Sequence, residues 1–288
     1  MGELLSNKPA AADREFSYSR SDFDAVRKML YQLTGIRLAD SKDSMVYSRL
    51  VRRIRALKLN SFQHYMSYLQ QHGAEKEQFI NALTTNLTSF FREPHHFDIL
   101  ARYLKAQPHT KTIWCAASST GEEPYSIAMV VAETFGRFDT PVQIIASDID
   151  SQVLQKAKAG VYAEERIKGL DPIRCKQFFH RGTGSKQGLV KVVPELQQMV
   201  QFRQLNLLDK KWGIRAPVDI IFCRNVMIYF DKETQLSILE RMIRLLSPQG
   251  LYVAGHSENF SQATHLVKSA GQTTYLPNLQ NALRGSDG

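Results

Sequence analysis

The segment from Thr112 to Asp150 constrains the fold of this 288-residue chain more than any other. It contains the residues T-I-W-C-A-A-S-S-T-G-E-E-P-Y-S-I-A and, one helix length later, I-I-A-S-D-I-D. An apolar run of strand length is followed by a turn of small residues, a helix-length interval and a second apolar run that ends in acid. This order predicts one half of a nucleotide-binding β-α-β unit.

The turn of this unit restricts the ligand. It lacks the G-x-G-x-x-G spacing that lets a backbone cradle a pyrophosphate, and Glu122 and Glu123 in the first helical turn would repel a phosphate. Asp148, at the end of the second strand, is placed to accept hydrogen bonds from ribose hydroxyls, or it could merely cap the helix that begins near Ser151. These features favour an adenosine ligand without a diphosphate, of which S-adenosylmethionine is the common example.

The remaining patterns divide the chain into a helical part and an α/β part. Residues 1–20 are polar and predict a flexible tail, and residues 21–90 predict an all-helical domain with its linker. Over residues 91–288 strand and helix patterns alternate, which predicts a parallel sheet covered by helices on both faces. The interval 180–206 breaks this alternation and predicts a small antiparallel β-subdomain inserted into the α/β domain.

The helix predicted over residues 41–58 has a basic face, formed by Arg49, Arg52, Arg53 and Arg55. No Asp or Glu occurs from Ser44 to Ala74, so this face is either a solvated surface or an electrostatic docking surface. The net charge of +9 also favours an acidic partner, whether nucleic acid, an anionic membrane or an acidic protein surface.

Other features concern compartment and metals. The longest apolar runs are of strand length, which argues against membrane insertion. Three cysteines without C-x-x-C pairing, and the lack of a signal sequence, favour the cytoplasm. The pairs His95–His96 and His256–Glu258 lack metal-ligand spacing with additional partners, so we expect no metal site.

Two further segments place polar groups where ligands bind. Residues 83–93, L-T-T-N-L-T-S-F-F-R-E, connect the two domains and are rich in hydrogen-bonding groups. The apolar strand over 220–223 continues into R-N-V-M-I-Y-F, which puts Arg224, Asn225 and Tyr229 at the carboxyl end of a strand. Ligands of open α/β sheets bind at this edge.

Six motifs in order make the chain resemble the CheR family of chemotaxis receptor methyltransferases: L-T-T-N-L-T-S-F-F-R-E, A-S-S-T-G-E-E-P-Y-S, A-S-D-I-D, N-L-L-D, F-C-R-N-V-M-I-Y-F-D and G-H-S-E-N-F. The resemblance covers about residues 20 to 277. It implies a helical N-terminal domain followed by a Rossmann-like methyltransferase domain with a small β-subdomain. It also implies that the protein methylates glutamate side chains on the cytoplasmic helices of chemoreceptors, using S-adenosylmethionine without a metal and releasing S-adenosylhomocysteine.

The resemblance also assigns roles to residues. The implied cofactor-binding residues are Asn86, Thr88, Arg92, Glu123, Asp148, Asn206, Leu207, Arg224 and Asn225. Within this set Asp148 contacts the ribose, and Asn206 and Leu207 border the adenine. Arg92 and Tyr229 are the implied catalytic residues, nearest the methyl group and the incoming carboxylate.

A second implied site concerns recruitment. Residues 181–188, R-G-T-G-S-K-Q-G, match the loop of family members that bind a pentapeptide at the receptor's C-terminus. The residues implied in this docking are Arg181, Gly182, Gly184 and Gly188. The resemblance therefore implies a cytoplasmic enzyme that is recruited to membrane-bound receptor arrays.

Two other functions remain as alternatives. A nucleic-acid methyltransferase would suit the positive charge, but such enzymes usually carry an Asp/Asn-Pro-Pro-Tyr/Phe element after the fourth strand, where this chain has R-N-V-M. A non-catalytic cofactor-binding receptor adaptor is the second alternative. The presence of Arg92, Asp148 and Tyr229 argues against it.

Overall fold

A computed structural model describes residues 14–278, and its contacts divide them into two compact units. The smaller unit contains residues 14–33 and 37–83, and the larger unit contains residues 34–36 and 84–278. None of the helices in the described range is long and apolar enough to cross a bilayer.

The smaller unit is built from helices. Within the described residues these are α1 (Arg20–Thr34), α2 (Asp43–Ala56), α3 (Phe62–Gln71) and α4 (Gly73–Leu83). Apolar residues at helical spacing bury one face of α2, namely Val46, Leu50, Val51 and Ile54. Ser61 caps α3, because its hydroxyl accepts the backbone N–H of His64 at 3.1 Å. The prediction of a helical N-terminal domain is confirmed.

The predicted flexible tail, 1–20, is only partly described, because residues 1–13 lie outside the described range. Its described end is packed against the helices. Arg14 pairs with Asp43 at 3.0 Å, and the Tyr18 ring lies 4.4 Å from an aromatic ring of α3. The tail prediction is wrong at this end, since aromatic and arginine anchors fix a segment whose average composition is polar.

Acids from elsewhere in the smaller unit neutralise part of the basic face of α2. Arg53 makes a two-point bond to the buried Glu75 on α4, with N–O distances of 2.9 and 2.7 Å. Arg55 pairs with Glu15. The expectation that this face lacks neutralising acids is therefore wrong, because residues outside the acid-free window fold back onto it.

The other two arginines of this face differ from each other. Arg49 is half-buried and donates its Nη1 to the carbonyl of Ala82 at 3.1 Å, whereas Arg52 is exposed. A docking role for the face stays a prediction.

We predict that Arg53→Ala lowers the free energy of unfolding of the smaller unit by about 2 kcal/mol. The substitution leaves the Glu75 carboxylate buried, and within residues 14–278 its one remaining side-chain partner is Tyr65, whose hydroxyl donates at 2.9 Å. Urea unfolding followed by circular dichroism measures the change. Arg52→Ala is the matched control, and an equal loss in both variants would contradict a structural role for Arg53.

The larger unit is an α/β domain. Its helices are α5 (His95–Ala106), α6 (Glu122–Phe135), α7 (Ser151–Ala159), α8 (Pro172–Phe178), α9 (Pro194–Gln198) and α10 (Lys232–Leu245). Its strands are β1 (Thr112–Cys115), β2 (Gln143–Asp148), β3 (Val161–Ala163), β4 (Phe179–Arg181), β5 (Leu189–Val192), β6 (Val200–Gln204), β7 (Val218–Cys223), β8 (Leu246–Ala254), β9 (Val267–Gly271) and β10 (Thr274–Pro277).

Seven strands form one sheet in the order β6-β2-β1-β7-β8-β10-β9. The five strands from β6 to β8 are parallel, as predicted, but β10 is antiparallel to both of its neighbours. The predicted parallel sheet is confirmed over these five strands, but its antiparallel edge was not predicted. The reason is a two-residue turn between β9 and β10, in which Gln272 and Thr273 both have positive φ, as in a tight hairpin.

The small antiparallel sheet is confirmed, but its predicted bounds, 180–206, are wrong. Its three strands are ordered β3-β5-β4 and lie between residues 161 and 192. The last strand of the predicted insertion, β6, instead pairs in parallel with β2 in the large sheet. Helix α9 separates β5 from β6, so the two strands do not form a hairpin. Val200 at the start of β6 is buried, which favours pairing of β6 in the large sheet.

Apolar side chains cover both faces of the large sheet. Along β1, Ile113 and Cys115 belong to one buried cluster, and Trp114 belongs to the other. This alternation follows from the two-residue repeat of a strand. The first cluster includes residues of α5 and α6, and the second includes residues of α10.

The topology fixes where a ligand can bind. Strand β1 lies between β2, which follows it through α6, and β7, which comes later on the other side. The strand order therefore reverses at β1. Ligands of such sheets occupy the crevice at the carboxyl ends of the strands beside this point.

Candidate active site

The loop from β1 to α6 makes a tight turn at the carboxyl edge of the sheet. Gly121 has φ of 100°, and a Cβ there would lie 2.8 Å from the Tyr162 hydroxyl and 2.9 Å from the Ala157 side chain. Ser119 also has positive φ, at 47°. Only glycine can occupy residue 121 without strain, so the loop has little freedom to change shape.

Asp148 ends β2 beside this loop and is buried. Its two carboxylate oxygens accept the backbone N–H groups of Ser119, at 2.8 Å, and Asp150, at 3.0 Å. Burial raises its pKa to about 6, although the backbone hydrogen bonds oppose the shift. A carboxylate has about four acceptor positions, so Asp148 can still accept hydrogen bonds from ligand hydroxyls.

Asp150, and not Asp148, caps the following helix. Its Oδ1 accepts the backbone N–H groups at the start of α7. Its Oδ2 accepts from the Thr84 hydroxyl at 2.7 Å and from the Asn86 amide at 2.9 Å. The alternative that Asp148 is only a helix cap is therefore wrong. Asp150 also fixes the segment that carries Asn86.

This segment approaches the β1–α6 loop through several bonds. The Ser119 hydroxyl donates to the Asn86 carbonyl at 3.1 Å. The Thr88 carbonyl accepts from Arg166 at 2.7 Å, and the same arginine pairs with Glu122. The structure thus brings the predicted cofactor residues Asn86 and Thr88 to the edge where Asp148 lies.

Arg224 forms the centre of a second network. Its side chain is almost completely buried, although the sequence predicted that it lines the ligand site. Its Nη1 donates to Glu123 at 2.5 Å, and its Nη2 donates to the carbonyl of Arg92 at 2.5 Å and lies 3.2 Å from Glu93. The Cys115 thiol donates to the other Glu123 oxygen at 3.2 Å. Arg224 therefore fixes the backbone of Arg92 and the carboxylate of Glu123 by direct hydrogen bonds.

The backbone of this network is strained. Phe91, Glu93 and Asn225 have φ between 51° and 58°, a region that costs non-glycine residues of the order of 1 kcal/mol or more each. The Asn225 amide donates to Glu93 at 3.3 Å, and the backbone N–H of Phe91 donates to the Ser126 hydroxyl at 3.0 Å. These hydrogen bonds stabilise the strained backbone at the carboxyl edge of the sheet.

His95 and His96 have a third potential ligand nearby, which corrects the prediction that they lack additional partners. Donor atoms of Glu93, His95 and His96 lie within 4.8 Å of one another. However, Arg224 already pairs with Glu93, and the trio is at the N-terminus of α5, where the helix dipole also repels a cation. Burial and Arg224 together lower the pKa of His96 to about 4, so this histidine is neutral.

The remaining predicted residues follow other strands. Asn206 and Leu207 come after β6, and the backbone N–H of Leu205 donates to the Asp148 carbonyl at 2.9 Å, which brings this segment to the same edge. Tyr229 is half-buried in a 3₁₀ turn after β7. Arg181 is exposed at the end of β4 and lies 3.5 Å from Glu164.

The loop after Arg181 is compact. A Cβ at Gly182 would lie 2.1 Å from the Lys186 carbonyl oxygen, whereas Gly184 and Gly188 have positive φ and open space around them. These three glycines lie in the loop that joins β4 to β5 of the small sheet.

Sequence reasoning did not assign roles to Glu93 or Asp150, nor to Glu258. Glu258 is buried and accepts three backbone N–H groups from two loops. Burial raises its pKa, against the effect of these hydrogen bonds. The G-H-S-E-N-F motif marked the residue, but backbone partners leave no sequence signal.

Comparison with known proteins adds to this geometry. A family model described as "CheR methyltransferase, SAM binding domain" matches residues 86–276, and one described as "CheR methyltransferase, all-alpha domain" matches residues 21–84. Chemotaxis protein methyltransferase 2 of Pseudomonas aeruginosa is 55% identical over 272 residues, which cover 93% of this chain and 97% of that protein. The chemotaxis protein methyltransferase of Escherichia coli strain K12 is 51% identical over 259 residues, covering 89% of this chain and 91% of the relative.

The chain belongs to the CheR methyltransferase family.

The edge described above fits the S-adenosylmethionine that this family's domain binds. Asp148 offers acceptors for hydroxyl groups, and acidic side chains suit a ligand with a sulfonium and an ammonium group better than a phosphate. The Ser118 hydroxyl is buried in the same loop and has no hydrogen-bond partner among the described residues. The chain therefore has hydroxyl acceptors and acidic groups that suit an adenosyl cofactor with a sulfonium.

We predict that Gly121→Ala destabilises the larger unit by about 3 kcal/mol, because it combines an unfavourable φ with contacts under 3 Å. Urea unfolding followed by tryptophan fluorescence measures the loss, since both tryptophans, Trp114 and Trp212, lie in this unit.

Gly136→Ala is the matched control, because Gly136 has positive φ but nothing within 4 Å of its Cβ position. It should cost only about 1 kcal/mol. Equal losses in the two variants would show that the close packing at Gly121 has no effect.

Proposed function

We propose that this protein transfers a methyl group from S-adenosylmethionine to glutamate side chains on the cytoplasmic helices of chemoreceptors, and that it serves adaptation in chemotaxis. The observation that carries the proposal is the acid-lined carboxyl edge of the sheet, with Asp148 buried beside a turn that cannot cradle a phosphate. The chemotaxis methyltransferases to which the chain is similar support the choice of substrate.

The residues at this edge have distinct proposed roles in binding. Asp148 accepts the ribose hydroxyls, and Asn206 and Leu207 border the adenine. Asn86 and Thr88 lie in the segment that Asp150 fixes, and both contact the cofactor. Glu123 faces the cationic part of the cofactor. S-adenosylmethionine supplies an electrophilic methyl group on a sulfonium.

The nucleophile needs little activation. A glutamate carboxylate is ionised at neutral pH, so the protein needs no strong base. Its task is to align the carboxylate and exclude water, and orientation of this kind is worth roughly 7–11 kcal/mol in favourable cases. We therefore assign Arg92 to holding the incoming carboxylate, with Tyr229 beside it, while Asn225 helps to shape the site.

The structure of the Arg92 segment supports this assignment. Arg92 is half-buried, and its Nη1 donates to the Leu87 carbonyl at 3.0 Å. Its own carbonyl is held by Arg224. A guanidinium has five N–H donors in a planar fork, so a carboxylate can bind the remaining ones in a bidentate manner.

Recruitment is a separate part of the proposal. Strand β4 is an edge strand of the small sheet, and Arg181 on it has a side chain that is 74% exposed. An extended peptide can add to such an edge by backbone hydrogen bonds. We propose that the receptor's C-terminal pentapeptide binds here and that Arg52 contributes to electrostatic docking, which brings the cytoplasmic enzyme to receptor arrays.

Transfer of labelled methyl from S-adenosylmethionine tests the function. Receptor cytoplasmic fragments with and without the last five residues, and duplex DNA, serve as acceptors. The proposal predicts label only on the receptor, released as methanol by alkali because a glutamyl ester is base-labile, and slower labelling without the pentapeptide. Label on DNA would favour the nucleic-acid alternative, and cofactor binding without transfer would favour the adaptor.

We predict that Arg92→Ala lowers kcat on the order of 100-fold at saturating receptor and cofactor, because the carboxylate loses its alignment. Steady-state kinetics measure the loss. Arg102→Ala, on the exposed side of α5, is the control and should retain full turnover. Near-normal kcat in Arg92→Ala would contradict the positioning role.

We predict that affinity for S-adenosylmethionine falls roughly tenfold between pH 7.5 and pH 5, because protonation of Asp148, whose pKa is about 6, removes a hydroxyl acceptor. Titration calorimetry at both pH values measures this.

Asp148→Asn should bind weakly at both pH values and show little dependence on pH. Wild-type affinity in this variant would contradict the proposal that Asp148 binds the ribose hydroxyls.

A further inference from the structure

Glu258 connects two loops at the carboxyl edge of the sheet. It lies after β8, is 4% exposed, and accepts the N–H of Gly255 in its own loop at 2.6 Å. The same oxygen, Oε2, accepts the N–H of Asn225 after β7 at 2.9 Å. Oε1 accepts the N–H of Met227 at 2.7 Å. One carboxylate therefore binds three backbone donors from two segments about 30 residues apart.

The two loops are in such close contact that residue 255 has no room for a side chain. A Cβ at Gly255 would lie 2.4 Å from the Asn225 amide nitrogen and 2.7 Å from its backbone nitrogen. Asn225 has φ of 58°, which is unfavourable for a residue with a side chain. Hydrogen bonds to a charged acceptor are about twice as strong as those between neutral groups, so Glu258 can hold this strained residue.

The turn that Glu258 binds carries groups used in the proposed function. Asn225 donates its side-chain amide to Glu93, which pairs with the buried Arg224. Met227 begins the 3₁₀ turn that ends at Tyr229. The position of this turn thus sets both Asn225 and Tyr229.

We infer that Glu258 is a positioning residue for methyl transfer: its carboxylate holds the turn 225–229 in the conformation that presents Asn225 and Tyr229. The inference rests on the proposed function, because it uses the roles assigned there to these two residues. We assign Glu258 no contact with substrate or cofactor.

Glu258→Gln tests the inference, because glutamine has nearly the shape of glutamate. Its amide NH2 group, however, replaces one of the oxygens that accept the backbone N–H groups. We expect kcat to fall 10- to 100-fold, as for other residues that orient reacting groups, with the receptor KM within about twofold. In the cofactor-free protein, hydrogen exchange should become faster at the backbone N–H groups of Asn225, Met227 and Gly255.

Chemical rescue separates positioning from general stability. Glu258→Ala leaves space for a small carboxylate, so formate should restore at least part of kcat and the slow exchange of the three N–H groups, whereas formamide should not. Glu240→Gln, on the exposed surface of α10, is the control and should change neither property. If Glu258→Gln does not fold, the formate-dependent comparison still decides the question.

Several results would overturn the inference. Wild-type kcat in Glu258→Gln would do so, and so would parallel losses of kcat, cofactor affinity and thermal stability that formate does not reverse. If the wild-type protein methylates no receptor carboxylate, the proposed function fails instead, while hydrogen exchange still reports whether Glu258 holds the turn.

Discussion

The buried guanidinium of Arg224 is the interaction on which the rest of the site depends. It donates hydrogen bonds to Glu123 at the start of α6 and to the carbonyl of Arg92, and it lies 3.2 Å from Glu93, so three segments meet at one charge. Removing a cation from such a set leaves buried carboxylates without compensation, which costs far more than an exposed ion pair. The strained backbone at Phe91 and Glu93 is kept in place at this centre.

Two other acids at this edge also have side-chain partners that compensate for their burial. Glu122 pairs with Arg166, and Asp150 accepts hydroxyl, amide and backbone donors. Asp148 differs, because its hydrogen-bond partners among the described residues are backbone N–H groups, and burial raises its pKa. It is therefore the acid best able to take a ligand hydroxyl as a further partner.

The sequence predicted the parts of the fold that have a strong periodic signal. The helix expected between the two strands of the opening segment is α6, and the apolar run over 220–223 lies within β7, because helix-length spacing and a continuous apolar run are local signals. The antiparallel β10 and the placement of β6 were missed, since strand pairing depends on partners distant in sequence. The motifs located Asp148, Arg224 and Arg92, but not their distinct environments.

Charge pairing was the least predictable property of the chain. Local composition suggested an uncompensated basic helix. However, Arg53 pairs with Glu75 and Arg55 pairs with Glu15, and both acids lie outside the acid-free segment 44–74. Likewise, Arg224 was predicted to line the ligand site, whereas the structure buries it between two acids. Both errors have one physical cause, because ion pairs form in three dimensions and carry no fixed spacing in sequence.

A double-mutant cycle between Arg224 and Glu123 tests most directly whether this buried charge holds the site together. The free energy of unfolding of Arg224→Met, Glu123→Gln and the double variant can be measured in urea by the fluorescence of the two tryptophans, which lie in the larger unit. If the Arg224–Glu123 pair holds the site together, the double variant is at least about 1.5 kcal/mol more stable than the sum of the two single losses predicts. Losses that add within about 0.5 kcal/mol would contradict it.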